Sequence, residues 1–400
     1  MSLKLKYTKE RHKVPTIFYF LFAIITIVHS TYALYKGPIE AGDTLQYSRM
    51  ADYLIANNFN YFELYKKDFN PDRLSSYYFF MYFGFPTIVA LSKFIFTVNW
   101  QYSVLIFNLI LYLLTFYLIL IFVWKITKNI STLIYTSTIC LISFETLLWA
   151  NYICTDTSFM AIVYLILFLV TYSLYQKPNS FYLNTLLFSL VILSLFWRPA
   201  ALPALMFFLI MLISKAFIRK NVNVRILFLM FITLTPIIFI TLNYIRNGHT
   251  WIIEGEHWNF VNDRNYGFDN IFYNSPLDTI LSPASYYILK FITYFSFITR
   301  DFSPIHIAVN TMFFIPIYIF SILAVYTFLS NSKLIEKTIV LAIFTTTIFI
   351  LSYGLFHGII AYTDYDWRYR LPIMPALIVL SSIGFYNLLL LKKEWKNNPH

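Results

Sequence analysis

Three groups of residues in this chain have the types and spacing to do chemistry. The first is Asp43 in Gly42-Asp43-Thr44-Leu45-Gln46-Tyr47, which begins just as the first apolar run ends. Gly42 permits a tight turn there, and Tyr47 follows Asp43 by one helical turn, on the same side. A carboxylate held where lipid and aromatic rings meet water is a candidate general base. The residues behind it read as a helix lying along the membrane surface. Leu45, Met50, Leu54 and Ile55 are its apolar positions, and Gln46, Arg49, Asp52 and Asn57 its polar ones. The plainer alternative is that Asp43 only marks a water boundary.

The second group is Phe144 to Asp156, FETLLWANYICTD. Glu145 lies inside an apolar run, where an ionisable side chain is costly and functional by default. If one helix runs through, Glu145, Trp149, Tyr152 and Asp156 share a face at spacings of four, three and four. Glu145 could equally be bonded to a neighbouring helix, and Asp156 could be a plain loop acid. The third group is a set of arginines at apolar segment ends: Arg198 in FWRPA, Arg246 in NYIRNG, and Arg368 and Arg370 in DWRYRLPIMP. Guanidinium groups are always charged and present a planar fork that suits phosphate. Each alone could snorkel to a lipid phosphate; four together point to an anion site between helices.

Other chemistries find little support. The sequence has no Walker-type glycine loop, no HExxH, no GxSxG and no Cys/His zinc spacing. Cys140 and Cys154 are isolated, and His29 and His357 sit in apolar runs, where they read as core or interfacial hydrogen bonders. Between 245 and 284, His249, Glu254, Glu256, His257, Asp263 and Asp269 could hold a divalent metal or sugar hydroxyls, but their spacing specifies neither. No metal ligand and no cofactor are assigned.

The elements that must position these residues are membrane spans. The chain is 59% hydrophobic and 12% charged, with 21% aromatic residues and a mean hydropathy of +0.64, which excludes a soluble domain. Apolar runs near 20 residues recur along it, and about 20 helical residues cross a bilayer. The expected class is an all-α polytopic membrane protein. The net charge of +11 reflects topology rather than a nucleic-acid partner. Basic residues precede the first run, and six basic clusters hold 17 of the 30 Lys and Arg but only Glu10, Glu336 and Glu394 among the acids. That split predicts a cytoplasmic N-terminus, retained as the first span, with the acid-bearing loops outside.

Crossing parity then requires that two apolar segments, 77–96 and 285–300, do not span. Ten spans remain, near 15–34, 101–124, 131–150, 157–176, 180–197, 199–213, 226–244, 305–329, 338–360 and 374–391, and both termini are inside. The chain reads as a single module over 1–400. A first external loop with amphipathic and juxtamembrane helices covers 35–100, and a large external loop with a juxtamembrane helix covers 245–304.

Taken in order, these pieces resemble the GT-C superfamily of membrane glycosyltransferases, which includes protein O-mannosyltransferases and aminoarabinose transferases. GDTLQY resembles the acidic motif of that family's first external loop, and YYFFMYFGFPTIVALSKF the juxtamembrane segment after it. NYICTD is similar to the acidic turn between the third and fourth spans, and FWRPAAL to the Arg-Pro ending the fifth. NYIRNG and RYRLPIMPAL resemble the later Asn-Tyr and Arg-Tyr-x-x-Pro-x-x-Pro pieces. The first-loop motif departs in having one acid where some members have an Asp-Glu pair, and no soluble carbohydrate-binding domain follows the last span.

The resemblance implies a sugar donor on a polyprenyl phosphate and an acceptor hydroxyl on a glycan, lipid or protein. It implies a site on the external face, in a setting such as a bacterial cytoplasmic membrane. Asp43 would be the base of an inverting transfer, with Asp156 orienting a hydroxyl in the catalytic centre. Tyr47, Glu145, Arg198, Arg246, Arg368, Tyr369 and Arg370 would bind substrate. A polysaccharide polymerase or ligase, and a non-enzymatic lipid-linked sugar or solute transporter, are the rival classes. A polymerase would lack the first-loop acid; a transporter would carry mid-membrane charges on several spans and internal repeats.

Overall fold

A computed structural model of the chain describes residues 14–61, 83–175, 181–219, 223–246, 291–292, 294–297, 303–330, 335–359 and 367–397, with backbone alone at 175, 181, 199, 219, 236–246, 359, 367, 368, 396 and 397. The described residues are almost all helical. In chain order they form α1 (Thr16–Lys36), α2 (Thr44–Ala56), α3 (Gly84–Phe96), α4 (Trp100–Thr127), α5 (Ile130–Leu141), α6 (Phe144–Asn151) and α7 (Asp156–Tyr175). Then come α8 (Phe181–Trp197), α9 (Leu202–Arg219), α10 (Val224–Arg246), α11 (Pro304–Leu329), α12 (Lys337–Ile359) and α13 (Met374–Asn397). Short 3₁₀ segments cover Thr97–Asn99, Pro199–Ala201 and Trp367–Ile373.

Among the described residues, six helical stretches are long and apolar enough to cross a membrane: 16–36, 84–127, 156–174, 304–329, 337–358 and 369–395. They become seven when α5 and α6, which meet at 48°, count as one broken span. Shorter apolar helices cover 182–197, 202–218 and 224–235. The outward faces are apolar as well. On α11, Ile305, Met312, Ile319, Ile322 and Tyr326 are all more than half exposed at helical spacing, which water would not tolerate and lipid does. The chain is an all-α, multi-pass integral membrane protein.

Hydrogen bonds sort the helix termini into two ends. At one end, the Asn151 carboxamide closing α6 donates to Ala33 and Gly37 carbonyls at the end of α1 (2.7 and 2.8 Å). Arg198, just past α8, pairs with Asp156 opening α7. At the other end, Arg225 in the first turn of α10 donates to Phe328 O near the end of α11 (2.6 Å). Asn387 of α13 donates to Thr327 of α11 (2.7 Å). Between the ends, α11 and α13 pack closely enough that a Cβ at Gly384 would overlap the Phe320 carbonyl. The sequence-predicted chemistry gathers at the first end.

Several expectations change in detail. The helix expected to carry Glu145 through to Asp156 is interrupted twice. It breaks at Ile142–Ser143, and again after Asn151, where Tyr152 is extended (φ −72°, ψ 135°). Glu145 and Asp156 therefore stand in the first turns of two different helices and do not share a face. The break is tolerated inside the bundle because its freed carbonyls find donors. His29 Nε2 donates to Leu141 O (3.0 Å), and Ser143 Oγ to Cys140 O (2.6 Å).

On α2 the packed face is Tyr47, Met50, Ala51 and Leu54, while Leu45 is 58% exposed; Leu45 is not on the buried stripe. Gly42 uses no special conformation, and a side chain there would meet open space. The glycine that does is Gly37, at φ +74°, which turns the chain out of α1.

The expected non-spanning piece 77–96 is described from 83 onward. Its helix α3 has 13 residues, about 20 Å at 1.5 Å per residue, against a hydrocarbon core of ~30 Å. Both its ends touch elements of the first end: Gly84 lies against Trp197, and Lys93 Nζ donates to Ser48 Oγ and Asp52 (2.7 Å each). Of 285–300 and of the large loop 245–304, most lies outside the described residues.

Candidate functional site

The turn bearing Asp43 is fixed by its neighbours. Ile39 pairs with the chain after α6, accepting from Ile153 N (2.9 Å) and donating to Asn151 O (2.8 Å). Thr44 Oγ1 donates to Ile153 O (2.9 Å) and accepts from Ala41 N (2.7 Å). Asp43 itself is half-buried at the start of α2, with its carbonyl accepting from Tyr47 N (3.1 Å). The Tyr47 ring is buried edge-on against Phe85 of α3, centroids 5.2 Å apart. Tyr47 therefore joins the first loop to the helix that floors it.

Asp156 is 2% exposed in the first turn of α7, where the helix dipole favours a carboxylate. Its partner arrives by a local device. Pro199 cannot continue α8, so that helix stops at Trp197. The Trp197 indole N–H donates to Ser158 Oγ (2.8 Å), two residues along from Asp156. That docking sets the Arg198 guanidinium on the Asp156 carboxylate in a buried ion pair. The guanidinium also lies over the Tyr369 ring at 5.3 Å.

A second acid–arginine pair lies alongside. Arg370, 2% exposed, faces Glu145 at 3.6 Å and stacks on Phe314 at 4.2 Å. It also donates to the Ser296 carbonyl. It belongs to a clamp on residues 294–297: Tyr318 donates to Phe295 O (2.6 Å), Asn310 to Phe297 O (3.3 Å), and Tyr294 to Tyr369 O (3.0 Å). Burial pushes the Tyr294 phenol above its ordinary range, so it keeps the proton it donates.

Arg198 lines a cavity of about 40 Å³ whose walls also include Tyr294, Tyr353, Phe356, His357 and Tyr369. It is far below the roughly 300–1,000 Å³ of pockets that enclose whole small molecules, and large enough for a few buried waters. Arg370 and Glu145 are not among its walls. Among the described residues, no group of three His, Cys, Asp or Glu side chains could hold a metal.

Of the sequence-predicted residues, Arg198 touches both Asp156 and Tyr369, Glu145 and Arg370 pair with each other, and the Asp43 turn is tied to the segment entering Asp156. The Arg246 and Arg368 side chains lie outside the described residues. Sequence reasoning missed Tyr294, Tyr353 and Phe356, and took His357 only as a core or interfacial hydrogen bonder. The available signal was Tyr353 and His357 one turn apart, interleaved with Gly354 and Gly358. A Cβ at Gly354 would lie 2.9 Å from the Phe291 ring, and one at Gly358 3.0 Å from Phe291 Cβ. Their absence lets residues 291–295 lie against α12 and bring Tyr294 to the cavity, with its ring 4.9 Å from that of His357. No family model, curated protein or solved structure matches the chain.

Proposed function

We propose that the protein is an integral-membrane glycosyltransferase that moves a sugar from a polyprenyl-phosphate donor to an acceptor hydroxyl, with inversion. The observation that carries this reading is the buried Asp156–Arg198 pair, whose arginine lines a cavity, at the bundle end where the Asp43 turn is tied down. An inverting transfer needs one base and a cation for the leaving group. The acceptor oxygen attacks the anomeric carbon, the bond from that carbon to the phosphate oxygen breaks, and the phosphate leaves with the electron pair. Asp43 takes the acceptor proton. Arg198, held by Asp156 and backed by the Tyr369 ring, offers an oriented fork to the phosphate without having to reorganise. Aromatic walls keep water from competing with the acceptor.

In this reading ten spans place both termini in the cytoplasm, and α2 and α3 stay at the outer face beneath the donor's headgroup. The donor tail lies in a groove between helices, and the headgroup enters by widening the cavity. The test is purified protein with a polyprenyl-phosphate sugar and a hydroxyl acceptor. Asp43→Asn is expected to lower transfer by about 10²–10⁴-fold while donor affinity stays within twofold of wild type. Near-normal turnover by that variant would remove Asp43 as the base.

A further inference from the structure

We propose that Tyr353, on α12, is a ligand-binding residue whose hydroxyl donates to an anionic oxygen of the phosphate group held at Arg198. The inference rests on the phosphate site proposed above and adds a residue to it. Tyr353 is 3% exposed, and its hydroxyl has no hydrogen-bond partner among the described residues. A hydroxyl removed from water without a partner is a net cost to the fold, and such groups call for an explanation.

Packing does not supply one. The ring lies 5.0 Å from that of Phe349, a contact that a phenylalanine would make equally well. Thr157, Tyr164 and Thr347 also bury unpartnered hydroxyls, but Tyr353 alone among these lines the cavity that Arg198 lines. The same wall carries His357 one helical turn on, with its ring 4.9 Å from that of Tyr294 and 5.8 Å from that of Tyr369. Those rings hold the imidazole in a packed stack and leave the phenol of Tyr353 as a neutral donor beside a guanidinium. A cation and a neutral hydroxyl on one enclosed surface match a phosphate ester: the cation offsets its charge and the hydroxyl bonds a second oxygen.

The fold and the ligand make opposite demands on that oxygen, so one substitution separates them. In detergent-solubilised full-length protein, Tyr353→Phe is expected to keep or raise the melting temperature. The same change is expected to weaken farnesyl phosphate binding by about tenfold to a hundredfold, the range for a hydrogen bond to a charged group. Farnesol should not bind. Inorganic phosphate, titrated in parallel, shows whether the anion must be lipid-borne. Phosphate alone binding with the same dependence on Tyr353 would uphold the tyrosine's role and overturn the lipid donor. Farnesyl phosphate affinity within twofold of wild type in Tyr353→Phe, together with a loss in Arg198→Ala, would overturn this inference and leave the phosphate site standing. A lower melting temperature in Tyr353→Phe would show that the hydroxyl has a structural partner and would also overturn it. Absence of binding by the wild-type protein would overturn both readings.

Discussion

Two buried acid–arginine pairs lie side by side in this bundle, and they are built for different work. Arg198, paired with Asp156, lines a cavity, and its guanidinium lies over Tyr369 on the same wall. Glu145 and Arg370 are shut away from that cavity, and their arginine stacks on Phe314 and holds the Ser296 carbonyl. A buried ion pair is weak evidence for stability, because desolvation offsets most of the attraction. What distinguishes the two is therefore what else each arginine touches. The first presents a cation to a space; the second fastens a segment of backbone. Similar residues in similar surroundings thus line a cavity in one place and hold backbone in the other.

Replacing each pair whole is the sharpest way to break this comparison. Either single change, Arg198→Ala or Arg370→Ala, strands a buried carboxylate and is expected to cost about 3–5 kcal/mol. Glu145→Leu with Arg370→Met should regain most of that stability and retain transfer within about tenfold, since neither residue lines the cavity. Asp156→Leu with Arg198→Met should regain stability too, yet lose transfer by about 10²–10³-fold, the effect of losing a key donor to developing charge. Thermal unfolding followed by tryptophan fluorescence, read beside transfer rates, separates the cases. Equal loss of transfer in both double variants would erase the distinction.

Smaller changes test the scaffold side. Gly354→Ala would press on the Phe291 ring at 2.9 Å, and overpacking of this kind costs about 1–3 kcal/mol. Transfer should fall a few-fold with it, as Tyr294 shifts at the cavity. Tyr318→Phe removes one donor to Phe295 O and should cost about 1 kcal/mol with transfer nearly unchanged. Loss of transfer in Tyr318→Phe at unaltered stability would move the clamp from scaffold to active participant.

Much of the fold was legible because lipid is an undemanding reader: composition and run length alone mark a spanning helix. The helices of α1, α4, α7, α11, α12 and α13 fall where apolar runs stand in the sequence. The break before Glu145 was not legible. Ser143 and Phe144 look unremarkable in a run, and the donors that make a break affordable, His29 among them, come from distant helices.

The acids and arginines were legible as unusual residues, but their pairing across 42 positions, or across the 225 between Glu145 and Arg370, exists only in three dimensions. Their charges read as a pooled anion site; the pairing divides them. Tyr353 escaped notice because a tyrosine in an aromatic-rich chain carries no signal until its hydroxyl is seen without a partner.

Asn151 has a mechanical consequence. One carboxamide grips the last carbonyls of α1 on both sides of the turn at Gly37, and the backbone beside it pairs with Ile39. The first loop and the turn leading to Asp156 are thus mounted on a common plate. If the protein acts as proposed above, this shared mounting would keep the spacing of Asp43 and Asp156 when a headgroup enters.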